Sequence, residues 1–166
     1  RDRSPSRGLG DVYKRQGSAV IAGILGTLMG GIIADRYGAR RIASLFAVLT
    51  GLSIFTIALA EPLWENRKVM WWLIVIYPFF GAAMGISLIS LFMNVTWPKV
   101  GATQFTLYMA MLNFGALFGL KMAGYFEANF DYTTTIMIGG TCQLLIAFVL
   151  PFIDPGQTRR ELGNDF

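Results

Sequence analysis

Five long apolar runs are spaced along the 166-residue chain, at 17–34, 42–60, 69–94, 102–124 and 133–153, and each approaches the length of a bilayer-crossing α-helix. The links between them are short and polar. This pattern predicts an all-α, polytopic transmembrane bundle of about five spans, with a polar segment at 1–16 and a polar tail at 154–166. In the first run Gly23, Gly26, Gly30 and Gly31 leave a face small enough for another backbone to approach. The second stops at Glu61-Pro62, where charge meets the constraint that proline places on its predecessor. The third opens on Met70-Trp71-Trp72, an aromatic belt, and its length of about 39 Å predicts tilt, overhang or a bend at Pro78. Gly81 and Gly85 offer it a close-packing face, and Gly115, Gly119 and Gly124 mark tight contacts or hinges in the fourth.

Composition supports the membrane as solvent, with 54% apolar residues and a mean hydropathy of +0.53. A soluble chain of this size cannot easily hide five such runs. The single cysteine, Cys142, excludes an intrachain disulfide, and the absence of histidine removes the usual imidazole bases and ligands. The formal charge is +4, of which residues 1–16 contribute +3, so the basicity is local and does not point to nucleic acid. The wording of residues 1–16 resembles a translated linker from an assembled reading frame, which marks the segment as non-native; read as native, it is a disordered basic tail.

Lysine and arginine counts in successive links are three at 35–41, two at 61–68, one at 96–101 and none at 125–132, with two more in the C-terminal tail. The first and third links and the C-terminal tail are therefore expected in the cytoplasm, and a bacterial inner membrane is the expected location. That assignment puts the basic residues of 1–16 outside. The conflict disappears if that segment is foreign or if one further helix precedes residue 17.

The densest chemistry lies between the first two runs, in Gly31-x-x-x-Asp35-Arg36-x-Gly38-x-Arg40-Arg41. Gly31 lets helices approach, Gly38 permits a tight turn, Asp35 accepts charge-assisted hydrogen bonds, and Arg40 and Arg41 reach lipid phosphates. This spacing resembles the signature of the major facilitator superfamily in the loop joining the second and third helices of either half. The resemblance implies a conformational latch built from Gly31, Asp35, Arg36, Gly38, Arg40 and Arg41; without it the segment is a positively charged turn. A second stretch, Ala102-Thr103-Gln104-Phe105-Thr106-Leu107 leading to Asn113-Phe114-Gly115, is similar to the C-terminal half of the branch holding muropeptide permeases and acetyl-coenzyme A transporter-like proteins. On that resemblance the runs correspond to family helices eight to twelve, the N-terminal half or its helices are missing partners, and peptidoglycan fragments or related small solutes are the expected cargo.

Polar groups inside apolar runs are costly unless they meet partners or water. Ser87, Ser90, Asn94, Gln104, Tyr108, Asn113, Thr141 and Gln143 are candidates to line a translocation path, with ordinary interhelical bonding as the competing role. Lys121 is a candidate anion contact, although its place near a run's end also suits snorkelling to the interface. Glu127 and Asp131 lie outside the runs, and after Asp35 no acidic residue falls within one, which leaves proton coupling without a carboxylate in this chain. No phosphate-loop lysine, dinucleotide fingerprint, metal constellation or nucleophile–histidine pair is present, so no enzyme activity, cofactor or metal is expected. The expected function is part of a secondary-active transporter working by alternating access, in contact with membrane lipids. A nontransporting assembly module and an inactive fragment are the alternatives, and the sequence leaves the oligomeric state open.

Overall fold

In hydrocarbon no water satisfies backbone polar groups, so each apolar run closes its own hydrogen bonds as a helix. The computed structural model describes residues 5–154 with Gly156, Gln157 and Arg160. Its helices are α1 (Pro5–Tyr37), α2 (Ala39–Leu59), α3 (Arg67–Val95), α4 (Gly101–Asn129) and α5 (Tyr132–Val149). Short 3₁₀ turns follow α2 at Glu61–Leu63, precede α4 at Pro98–Val100 and extend α5 at Leu150–Phe152. All five helices contain a stretch long and apolar enough to cross a membrane, and no strand occurs among the described residues.

Three boundaries differ from the sequence expectation. The segment expected as a disordered tail is helical from Pro5 onward, while residues 1–4 lie outside the described residues. Proline suits a first helical turn, and a helix already nucleated in the apolar run extends upstream at little cost. The polar link at 35–41 is no loop: residues 35–37 close α1, residues 39–41 open α2, and Gly38 alone separates them. Its φ of 94° is the one positive value among the described residues, and it receives α2 directly after α1. The Gly38 amide donates to Ala34 O at 2.9 Å, and its carbonyl accepts from Ile42 N at 3.2 Å, so one residue serves both helices. At the other end of the bundle, residues 125–129 extend α4 beyond its apolar run. The ring contacts Tyr125–Phe126 and Phe126–Phe130 line that extra turn.

Helix α2 is central, packing on α3 along one side and on α5 along the other, while α1 lies mainly against α3. Small residues set the spacing. Ala34, Ala39, Ala43, Ala47 and Ala83 are buried beside Phe46 and Leu91, so helices meet nearly backbone to backbone. The α1–α3 contact depends on Gly26 and Gly30: a Cβ on Gly26 would collide with the Phe79 carbonyl, and one on Gly30 would lie 2.6 Å from Ala83 Cα. Gly31, expected to make this approach, meets only Ile86 Cγ1 at an ordinary 3.8 Å, because it is turned about 100° away from Gly30. The positions expected to pack closely at Gly81, Gly85, Gly115, Gly119 and Gly124 all have open space where a Cβ would go.

Helix α4 stands apart. It has no buried residue, and Phe114 and Leu120 are 73% and 72% exposed. It touches α3 and α5 only sparsely, and Tyr108 packs on Phe92 with ring centroids 5.1 Å apart.

These contacts predict opposite outcomes for two classes of glycine. Gly30→Leu is expected to destabilise the α1–α3 pair by about 1–3 kcal/mol, as overpacking does. Gly81→Ala and Gly115→Ala, with open space above them, are expected to be neutral or stabilising by about 0.5–1 kcal/mol. Unfolding in detergent followed by circular dichroism checks the order.

Candidate functional site

The Gly38 corner brings Arg40 of the signature against the end of α5. Helix termini leave carbonyls unpaired, and Pro151 prevents α5 from continuing regularly. Arg40 meets that need: its Nη1 donates to Ile153 O at 3.0 Å and to Pro151 O at 3.5 Å. A cation at a helix C-terminus also complements the helix dipole. Arg40 was expected to face lipid phosphate, and its protein partners more than 110 residues away were not legible from local spacing. The signal available in sequence was the Leu150-Pro151 stop.

Asp154, absent from the expected site, completes this corner. Its carboxylate accepts from Gly156 N at 2.9 Å and pairs with Arg160. The Gly156 amide first, then Arg160, and more weakly the Arg40 charge, hold Asp154 below the usual carboxylate range. Of the remaining signature residues, Asp35, Arg36 and Arg41 are exposed, and Arg36 stacks 5.6 Å from the ring centroid of its neighbour Tyr37. Asp35 makes no side-chain hydrogen bond or ion pair among the described residues. A cleft of about 310 Å³ opens between residues 37–41 and Asn94 of α3, so Asn94 joins the signature corner.

The other candidate path residues are dispersed. Gln104 bridges the α3–α4 turn, accepting from Trp97 N at 2.9 Å and donating to Tyr108 Oη at 2.6 Å. The Trp97 indole N–H beside it is buried with no hydrogen-bond partner among the described residues. Ser87 is fully buried and donates to Ala83 O at 2.7 Å; Ser90 is half-buried in the same helix. Gln143 reaches across to Met84 S at 2.9 Å. Asn113 and Thr141 are exposed and bond back to their own helices at Met109 O and Met137 O. Lys121 lies on exposed α4, two turns beyond Asn113. No three acidic, cysteine or histidine side chains gather as a metal site among the described residues.

The opposite end of the α2–α5 pair is also tied. Thr133 donates to Glu61 Oε2 at 2.7 Å, Trp64 packs edge-on to Tyr132 at 5.6 Å, and Trp64 Nε1 donates to Ile57 O at 2.9 Å. Asp131 caps α5, accepting from Thr134 N at 2.8 Å and Thr134 Oγ1 at 2.7 Å, and these bonds hold its carboxyl below the usual range.

Residues 16–165 match the Major Facilitator Superfamily. Over 134 residues the chain is 31% identical to the 3-(3-hydroxy-phenyl)propionate transporter of Escherichia coli strain K12, a match covering 80% of this chain and 32% of the relative. The chain thus spans about a third of that relative's length. No solved structure matches.

A carboxylate whose pKa is lower folded than unfolded stabilises above its unfolded value and loses that contribution as pH falls through the folded value. Asp131→Ala is therefore expected to lower the melting temperature at neutral pH, with the gap to the parent closing as pH falls below the ordinary value of 3.8. Thermal scans of both proteins from pH 7 to pH 3 check this.

Proposed function

Because the chain belongs to the major facilitator superfamily and its membrane-spanning helices form an integral membrane protein, we propose that it supplies one wall of a secondary-active solute transporter working by alternating access. The family match over residues 16–165 carries this reading. The chain's 32% share of its relative supports completion of the wall by further helices, an N-terminal half or helices from it. Exposed α4, with Asn113 and Lys121, is the face suited to border the solute route. Lys121 offers an anion contact there.

A small aromatic carboxylate is the first substrate class to test, by analogy with the relative named for 3-(3-hydroxy-phenyl)propionate. Peptidoglycan fragments are the second, on the resemblance at residues 102–115. In this reading the Gly38 corner and the C-terminus face the cytoplasm of a bacterial inner membrane. The signature acts there as a latch, with Asp35 free to take a partner outside the described helices and Arg40 holding the corner to α5.

Uptake into sealed vesicles reconstituted with this chain joined to the helices proposed to complete it tests the proposal. Accumulation of labelled 3-(3-hydroxy-phenyl)propionate or of a muropeptide is expected, with the ion gradient imposed in both directions. Absence of accumulation for every solute, with the protein correctly inserted, supports the nontransporting assembly module instead. In the same parent, Asp35→Asn is expected to shift the inward and outward populations measured by distances between paired spin labels; unchanged populations remove the latch role.

A further inference from the structure

Helix α4 has two unlike sides. At about 100° per residue, its half-buried residues Gln104, Phe105, Tyr108, Met122 and Phe126 fall on one side, the side on which Tyr108 meets Phe92 of α3. Thr103, Thr106, Ala110, Asn113, Leu117 and Lys121 follow one stripe on the opposite side, within an arc of about 80°, and all are exposed. The stripe runs about 27 Å along the helix, close to the roughly 30 Å of a hydrocarbon core. Leu107, Met111 and Phe118 border it as a bulkier apolar flank.

Threonine hydroxyls that bond back to their own helix are tolerated in lipid, but a carboxamide and an ammonium on the same line are costly there. α4 is also the least apolar of the five spans while having no buried residue. Both observations favour a water-filled route along this line over acyl chains. The hydrogen bonds already made decide what the line offers a solute: Thr106 Oγ1 donates to Ala102 O at 2.7 Å and Asn113 Nδ2 to Met109 O at 3.0 Å, which leaves Asn113 Oδ1 to accept from a solute. Lys121 supplies the stripe's positive charge.

We propose that this stripe recognises a small carboxylate that also carries a hydroxyl, with the carboxylate on Lys121 and the hydroxyl donating to Asn113 Oδ1. Residues 113 and 121 are about 12 Å apart along the axis, and the lysine stem, directed toward the helix N-terminus, shortens the gap to roughly 6–8 Å, the size of one substituted ring. Leu117 lies between them and offers that ring apolar contact. A dicarboxylate would set its second charge against the Asn113 acceptor and is disfavoured. This recognition rests on the transporter reading above and assigns selection of the solute to Lys121 and Asn113.

The test uses the completed protein in sealed vesicles, with Cys142→Ser as background and single cysteines introduced on the stripe (Thr106→Cys, Ala110→Cys, Leu117→Cys) or on its flank (Leu107→Cys, Met111→Cys, Phe118→Cys). A membrane-impermeant thiol reagent is expected to label the stripe set faster than the flank set, by about tenfold or more. 3-(3-Hydroxy-phenyl)propionate is expected to slow labelling of Leu117→Cys, and the same acid without its hydroxyl to need about fivefold higher concentration. Lys121→Gln is expected to raise the protecting concentration of both about tenfold, and Asn113→Leu to abolish the difference between them. Equal labelling of the two sets, or a stripe that does not label, overturns the proposal, because lipid or protein then covers it. So does labelling of Leu117→Cys that neither acid slows, or protection unchanged by Lys121→Gln. Labelling needs no transport: accumulation of solute with an unlabelled stripe removes this recognition alone, whereas labelling and protection without accumulation uphold it and remove transport.

Discussion

Backbone proximity at small residues is the constraint on which this bundle depends. Among helices in lipid, no hydrophobic force favours one helix face over the surrounding acyl chains, so association rests on contact area. Gly26 and Gly30 let α1 lie directly on Phe79 and Ala83 of α3, and the buried alanines of α2 extend the same closeness to the next interface. Larger apolar residues point outward instead, as Ile32, Leu59 and Phe148 do at 68%, 71% and 73% exposure. The inversion of size between interior and surface identifies the solvent as hydrocarbon.

The polar interactions then fix relative positions. α2 and α5 are joined at one end by Arg40 to the last carbonyls of α5 and at the other by Glu61–Thr133 and Trp64–Tyr132, with Gly51 admitting Leu144 between them. Such a pair behaves as one body. α4 has no comparable fastening along its middle, and its polar contacts concentrate at Gln104 and Tyr108. The chain thus combines a braced block with one loosely held helix.

The five helices were legible because the apolar runs are long and their interruptions charged, and the signature was legible because its residues are close in sequence. The partners of those residues were not. Arg40 looked like a lipid contact until the end of α5 was placed beside it, since hydrogen bonds between residues 40 and 153 leave no local trace. Polar residues in spans carried a similar ambiguity: Ser87 and Gln143 are engaged inside the bundle, whereas Asn113 and Thr141 face outward, and composition treats the four alike. Glycine spacing was informative for Gly26 and Gly30 and misleading for Gly81 and Gly85, because a small face has an effect only where another helix arrives.

The corner at Gly38 also governs how motion can pass through the chain. Two helices joined by several loop residues can slide or rotate with slack between them, but here one residue closes α1 and opens α2, with hydrogen bonds on both sides. An axial shift of α1 must therefore appear in α2, and through Arg40 in α5. The turn therefore joins α1 to α2 without slack, and Arg40 fastens that joint to the end of α5.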